Sequence, residues 1–486
     1  MARQGRGGVV IGAGLVLGAA SLAMAQDDQR RIERAVRQAD GDWRIRVDPA
    51  LSLAERSQLD VGGAFSFSVL NLNDRTDNHR RLVQYDTVVY ARGNLDGVHS
   101  GFARVRFPFR DFSPGDSFDG RGDRWVEPFV DRYWYEFDLR RAKDVYEGQS
   151  VAYNFNLRVG RQFVDWGTGL TLSENLYAAR PTVSWADGRA VVEALVGVTP
   201  PDESVVDFDA SRDEYNRRTL RGFFGGRFVA TGESGTQYYV YGLKMADYNN
   251  DTASRPALSV PVNFDYDATY FGLGTQGSLG GNLAYLGEVV WQTGHSMSDP
   301  IRGISGVPGT QSRESISAVA SRGLVTYLFR DASQTRVQIE ANIASGDSDR
   351  TLTSDTVGGN LSGTTDHAFN SLGFANTGLA FAPSLSNIVT VRTGLSTSPL
   401  PEVELTRGLQ VGADLLQYYK FNERAPIDEP SEDRPFLGVE ADLFMNWRLT
   451  SDLAFNVRYG AFFPSAAITS TKSVRHFVLV GFTLSF

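Results

Sequence analysis

The chain ends with residues 477–486, FVLVGFTLSF, in which apolar side chains recur at every second position up to the terminal aromatic residue. Val478, Val480, Phe482, Leu484 and Phe486 share one side, and Gly481, Thr483 and Ser485 lie on the other. A period of two residues is the pattern of a β-strand with two unlike faces. This stretch therefore predicts a final strand that runs to the C-terminus.

The same alternation recurs through the chain. It is clearest in residues 151–159, 336–343, 437–448 and 453–459, and the composition of 50 Gly, 30 Phe and 19 Tyr fits a protein built from strands and turns. A soluble sandwich also alternates. However, segments of about ten residues match a tilted strand that crosses a bilayer, whereas soluble strands average about five or six.

The connections between these segments alternate in length. Short turns are predicted at 94–97, 185–188, 231–235, 276–280, 330–333 and 449–452, and longer polar connections at 111–130, 200–215, 249–262, 294–313, 346–386 and 421–434. Outer-membrane barrels have short periplasmic turns and long outer loops. The sequence therefore predicts an all-β fold, a transmembrane antiparallel β-barrel of about eighteen strands with both termini in the periplasm.

The N-terminal region predicts export. Arg3 and Arg6 precede a small apolar core, and Ala23-Met24-Ala25 gives a signal-peptidase pattern, so residues 1–25 are expected to be a signal peptide rather than a membrane anchor. Its removal changes the formal charge from −9 to −11, since two arginines leave, and the acidic total argues against a nucleic-acid partner. Residues 26–58 form a charged periplasmic segment, and residues 59–486 form the barrel.

Residues for catalysis are sparse. There is no cysteine, and none of the five histidines has a metal-binding spacing, so we expect no cofactor, no metal site and no enzyme activity. An active site at the barrel rim, centred on His295 beside Ser296 and near Asp299, is the alternative. The acidic stretches 347–349 and 428–433 are either calcium sites or solvated loops.

Polar residues on the inward faces are expected to line a pore. Arginine outnumbers the acids among them, which favours passage of anions, although the same acids could form structural ion-pair ladders with the arginines. A non-conducting structural or adhesion barrel is a third hypothesis. The predicted pore-lining residues are Arg92, Arg104, Arg106, Arg158, Arg221, Arg227, Arg336, Arg392, Arg458, Glu340, Glu440 and Asp442.

Two short motifs resemble the alginate-export family of outer-membrane porins. One is the GRQ strand at residues 158–162 with Gly167 after it, and the other is the ASGD segment at 344–347, followed by Phe369, Phe374 and the Asn-led strand at Asn387. The terminal Phe486 likewise resembles the signal read by the barrel assembly machinery. The resemblance implies passive movement of an anionic polysaccharide, or of smaller anionic solutes, through an arginine-lined channel in the outer-membrane lipid. We expect loop 346–386 to narrow that channel.

Overall fold

The computed structural model describes residues 57–73, 77–112, 123–125, 128–200, 220–248, 252–255, 260–263, 265–299, 301–302, 307–350, 359–373 and 375–486. The predicted signal peptide and nearly all of the predicted periplasmic segment lie outside these ranges. Within them, no helix has the length and apolar character needed to cross a bilayer.

Eighteen long strands form one antiparallel sheet within the described residues. They are β1 (Ser57–Asn73), β2 (His79–Leu95), β3 (His99–Phe112), β4 (Phe129–Asp138), β5 (Tyr153–Trp166), β6 (Leu172–Trp185), β7 (Ala190–Val198), β8 (Arg221–Thr231), β9 (Gln237–Asp247), β10 (Tyr266–Leu279), β11 (Leu283–Met297), β12 (Arg313–Leu328), β13 (Arg336–Ala344), β14 (Ile388–Thr397), β15 (Leu409–Tyr419), β16 (Phe436–Arg448), β17 (Leu453–Pro464) and β18 (Arg475–Ser485). Each pairs with the next along the chain. A two-residue strand, Arg124–Trp125, adds to β3, and two small hairpins, Thr252–Arg255 with Val260–Asn263 and Ile301–Arg302 with Val307–Pro308, lie outside the sheet.

The sheet closes on itself through its first and last strands. β1 pairs with β18 in a continuous register that places Leu70 opposite Leu479. The terminal Phe486 continues this pairing, since its backbone N–H donates to the Gly63 carbonyl at 2.9 Å and its carbonyl accepts from the Gly63 N–H at 2.8 Å. A closed sheet leaves no unpaired edge, which is the requirement for β-structure in lipid. The predicted eighteen-strand barrel is confirmed.

The two faces of the barrel have the reverse polarity of a soluble protein. Leu273 is 65% exposed and Leu443 53% exposed on the outer face, whereas Gln292, Glu340 and Asn456 are at most 1% exposed on the inner face. Apolar side chains remain outside because lipid, not water, is their solvent there, and polar side chains are sequestered inside. The alternation of apolar and polar residues in the sequence therefore corresponds to an apolar outer face and a polar inner face.

The two rims of the barrel differ as the loop lengths predict, with several departures. One short-end connection carries a helix, α1 (Leu139–Glu147), which the sequence reading missed. The Asp138 side chain accepts from the Arg141 N–H at 3.0 Å, and Gly148 ends the helix with a φ of 64°. In addition, the turn predicted at 276–280 is wrong in its bounds, because β10 continues to Leu279 and Gly280 and Gly281, both with positive φ, make the turn.

Gly160 in β5 is expected to be intolerant of substitution. Its φ is 135°, and an added Cβ would overlap the backbone carbonyl of Tyr133 on β4. Gly160→Ala should lower the free energy of unfolding by about 1–3 kcal/mol, measured by denaturant titration of the detergent-solubilised barrel. Gly93→Ala is the matched control, because an added Cβ there meets no atom within 4 Å, so its effect should stay within about 0.5 kcal/mol. Equal losses in the two variants would refute this account of Gly160.

Candidate functional site

The β5–β6 hairpin leaves the wall and folds into the lumen. Pairing of β4 with β5 stops at Tyr133 and Arg161, and pairing of β6 with β7 stops at Tyr177 and Val198. β5 and β6 nevertheless remain paired to their tips at Trp166 and Leu172. We call residues 162–176, which extend past both neighbouring strands, the inward hairpin.

Trp166 fixes the inward hairpin against the inner wall. Its side chain is fully buried, and its indole N–H donates to Glu193 of β7 at 3.1 Å. An added Cβ at Gly225 of β8 would lie 2.7 Å from the Trp166 ring, so only glycine leaves room for it. Gly225 therefore serves the packing of the inward hairpin against the wall.

The tip of the inward hairpin reaches strands that are distant along the wall. The Thr168 backbone N–H donates to Glu288 of β11 at 2.6 Å, and the Tyr241 hydroxyl of β9 donates to the same carboxylate at 2.5 Å. Arg322 of β12 donates to the Thr168 carbonyl at 2.5 Å. Because β5 and β12 are widely separated around the closed sheet, the hairpin spans part of the lumen.

The loop between β13 and β14 packs onto the inward hairpin. We call its described residues 359–373 and 375–386 the lumen loop. The Gln292 side chain accepts from the Asn370 N–H at 2.8 Å, and the Tyr270 hydroxyl donates to the Asn370 carbonyl at 2.8 Å. The Ser173 N–H of the hairpin donates to the Leu372 carbonyl at 3.1 Å. The hairpin and the loop thus form one connected constriction inside the barrel.

Glu440 of β16 anchors the other end of the lumen loop. Its carboxylate accepts three successive backbone N–H groups, from Leu379, Ala380 at 2.6 Å and Phe381 at 2.8 Å, and also the Tyr418 hydroxyl at 3.0 Å. Successive N–H groups that converge in this way form an anion-binding concavity. Glu440 is fully buried, so this predicted lining residue acts as an anchor for the loop.

The residues of the second resembling motif build the base of this loop. The Asp347 carboxylate accepts from the His367 N–H at 2.6 Å, and Asn387, the residue directly before β14, has a φ of 51°. The Asn387 side chain donates to the Ala425 carbonyl at 2.8 Å and accepts from the Asn422 N–H at 2.8 Å. Phe369 is fully buried in the constriction, and Phe374 lies outside the described residues.

Most of the predicted lining arginines pair with carboxylates. Arg104 forms an ion pair with Asp131, and Arg106 forms one with Asp86. Arg158 meets Glu136 at 2.5 Å, Arg221 meets Asp247 at 3.7 Å, Arg227 meets Glu193 at 2.6 Å, and Arg392 meets Glu340 at 2.5 Å. Arg336 donates to the Ser396 hydroxyl at 2.7 Å; Arg92 and Arg458 are partly buried, and Asp442 is buried.

Several inner-face charges were missed from the sequence: Arg180, Arg322, Asp131, Glu136 and Glu193. Arg180 lies in β6 in register with Arg158, but the neighbouring Ala178, Ala179 and Pro181 hide the alternation. Three of these residues, Arg180, Glu193 and Arg322, belong to two clusters in which one carboxylate contacts two arginines. Glu193 contacts Arg180 at 2.7 Å as well as Arg227, and Glu340 contacts Arg322 at 2.8 Å as well as Arg392.

In both clusters the guanidinium groups are more accessible than the carboxylate. The side chains of Arg180 and Arg227 are 19% and 23% exposed, against 5% for Glu193. Arg322 and Arg392 are 12% and 11% exposed, against none for Glu340. At the Glu193 cluster a solute therefore meets two cations in front of one shielded anion, whereas at the Glu340 cluster Arg392 also pairs with Asp414 at 3.2 Å, so two carboxylates balance the two arginines.

The alternative active site is not assembled. His295 is exposed on the outer face of β11, whereas the neighbouring Ser296 side chain is 1% exposed on the inner face, because adjacent residues of a strand point to opposite sides. The base and the nucleophile therefore cannot converge as acyl transfer requires. Within the described ranges, there is no group of three or more acidic or histidine side chains that could hold a metal ion.

Comparison with solved structures identifies the fold of outer-membrane channels. OccAB1 of Acinetobacter baumannii is similar with a TM-score of 0.51 and 10% identity, over 88% of this chain and 97% of that one. OccK9 (OpdG) of Pseudomonas aeruginosa has a TM-score of 0.50 and 8% identity, over 90% and 100% of the two chains. OpdQ of the same species has a TM-score of 0.50 and 10% identity, over 88% and 99%.

The family model described as alginate export matches residues 205–480. No curated protein sequence matches the chain. The family match covers more than half of the chain and includes the lumen loop, its Asn387 base and the Glu440 anchor. The chain therefore belongs to the alginate export family, and it is a porin-like channel protein of the outer membrane.

Proposed function

We propose that the barrel conducts anionic solutes passively, with an acidic polysaccharide or its fragments as the substrate class. The observation that carries the proposal is the cluster in which two accessible arginines, Arg180 and Arg227, cover one shielded carboxylate, Glu193. A guanidinium group binds carboxylates through two parallel hydrogen bonds, and cationic pore walls favour anions. Membership of the alginate export family supports the same substrate class.

The ion pairs also serve the barrel structure, and this second role is compatible with conduction. Arg104 and Arg106 are only 9% and 10% exposed, so we assign them mainly to stabilising the wall. Arg158 and Arg227 of the predicted lining, and Arg180, which the sequence prediction missed, are more accessible than these two. These three form the proposed anion path on the β5–β8 side of the lumen.

Planar-bilayer recording in a KCl gradient tests the anion preference. The wild-type protein should give a reversal potential whose sign shows that chloride is more permeant than potassium. Arg180→Gln/Arg227→Gln should abolish this potential or invert its sign. The double variant leaves Glu193 without its two cations, so the cluster changes sign. Arg434→Gln is the control, because that side chain is 59% exposed in an outer loop. A cation-selective or silent wild-type barrel would contradict the proposal.

The proposed assembly partner remains the barrel assembly machinery, read through Phe486. The ring is 70% exposed beside Gly63, where it is accessible from outside the barrel. Deleting Phe486 should slow insertion into liposomes that contain the machinery, without changing the conductance of the barrels that do insert. Equal insertion rates with and without Phe486 would refute this assignment.

A further inference from the structure

A row of three aromatic rings crosses the inner wall on β2, β3 and β4. The centroids of Tyr90 and Phe102 are 6.2 Å apart with an interplanar angle of 22°, and those of Phe102 and Trp134 are 5.8 Å apart at 20°. Tyr90 shares the strand face of Asp86 and Val88, which are 0% and 1% exposed, and so the row faces the lumen. We call Tyr90, Phe102 and Trp134 the ring row.

The ring row remains accessible where other inner aromatics are covered. Trp166, Tyr241, Tyr270 and Phe462 are at most 2% exposed, because they lie against the inward hairpin or the lumen loop. All three rings of the row are only partly buried. A Cβ at Gly62 would lie 2.7 Å from the Tyr90 hydroxyl oxygen, so this glycine lets the Tyr90 ring lie against the wall.

Arginines border the ring row. The Arg158 guanidinium carbon lies 4.4 Å from the Trp134 ring centroid. In the strand registers, Arg158 is the partner of Arg180, and Arg92 is the partner of Phe102. The Arg158 guanidinium group therefore covers one face of the Trp134 ring, and Phe102 and Tyr90 extend the aromatic surface beside it on the lumen wall.

We propose that the ring row is a binding subsite for the sugar rings of an acidic saccharide. A pyranose ring presents a face of C–H bonds, which complements the electron-rich face of an aromatic ring. A carboxylate on the same sugar would accept hydrogen bonds from Arg158 or Arg180. Aromatic walls with a few placed polar groups are the general composition of small-molecule sites. This inference rests on the proposed function, because it requires that the solute enters the lumen.

The test uses current block in planar bilayers by a galacturonate oligosaccharide and by a neutral maltooligosaccharide of matched length. Tyr90→Leu/Phe102→Leu should weaken the block by both sugars about tenfold, which is the loss of stacking at two rings. In sugar-free KCl, the conductance and reversal potential of this double variant should equal those of the wild type. This equality would also show that the variant is folded. Arg158→Gln should weaken the block by the acidic sugar alone.

Phe444→Leu is the matched control. Phe444 is an inner-face ring on β16, on the strand face of Glu440 and Asp442, and it lies outside the row. Its loss should leave both sugars unaffected. Unchanged block by both sugars in Tyr90→Leu/Phe102→Leu, or an equal loss in Phe444→Leu, would overturn the subsite. Failure of the proposed function is seen separately, as a wild-type channel without anion preference in sugar-free KCl.

Discussion

Glu440→Gln should convert the constricted barrel into a channel with a larger and noisier conductance. The wild-type carboxylate accepts three consecutive N–H groups of the lumen loop, at residues 379–381, and the Tyr418 hydroxyl. Gln places an NH₂ group against these donors and removes the charge. A hydrogen bond to a charged group contributes about 1.5–3 kcal/mol, so a net loss near 3 kcal/mol raises the detached population of the loop roughly a hundredfold.

Single-channel recording measures this effect directly. Glu136→Gln is the control, because Glu136 is an inner-face carboxylate that bonds to Arg158 of the wall. We expect the control to alter ion selectivity and to retain the wild-type conductance. A Glu440→Gln channel with wild-type conductance and wild-type current noise would show that this anchor does not hold the constriction in place.

Arg475→Met should cause the largest loss of stability. Arg475 and Glu429 are fully buried at the loop-rich end of the barrel and meet at 2.8 Å, and the guanidinium carbon lies 5.5 Å from the Phe462 ring centroid. Removing the cation leaves the buried Glu429 carboxylate without its counter-charge. Breaking a buried pair in this way costs about 3–5 kcal/mol. Thermal unfolding followed by heat-modifiable gel mobility measures the loss.

The double variant Arg475→Met/Glu429→Leu separates charge from packing. Replacing both partners by apolar side chains removes the stranded charge, and we expect most of the lost stability to return. Arg434→Gln, in an exposed pair with Glu432 at 2.9 Å, should change stability by less than about 1 kcal/mol. If the double variant is as unstable as Arg475→Met, packing of the arginine and not its charge accounts for the loss.

The predicted lining residues show what alternation can and cannot indicate. Alternation is a local property, so it groups Arg158, Glu340 and Glu440 with the polar faces of their strands. It could not distinguish their partners: Arg158 meets Glu136 and the Trp134 ring, whereas Glu440 binds a loop about sixty residues away in the chain. Inward positions on the strands are thus occupied both by accessible cations and by a buried residue that anchors the loop.

The strands, the alternation of loop lengths and the closed barrel were determined by the sequence, because a period of two and the position of turn residues are encoded within a few neighbouring residues. The inward hairpin, the helix α1 and the clusters around Glu193 and Glu340 were decided by the tertiary structure. The Thr168–Glu288 bond joins residues 120 positions apart, and no local pattern records such a contact. Because the sheet closes into a barrel, residues that are far apart in the sequence lie together inside it. Their contacts form the constriction and the proposed anion path.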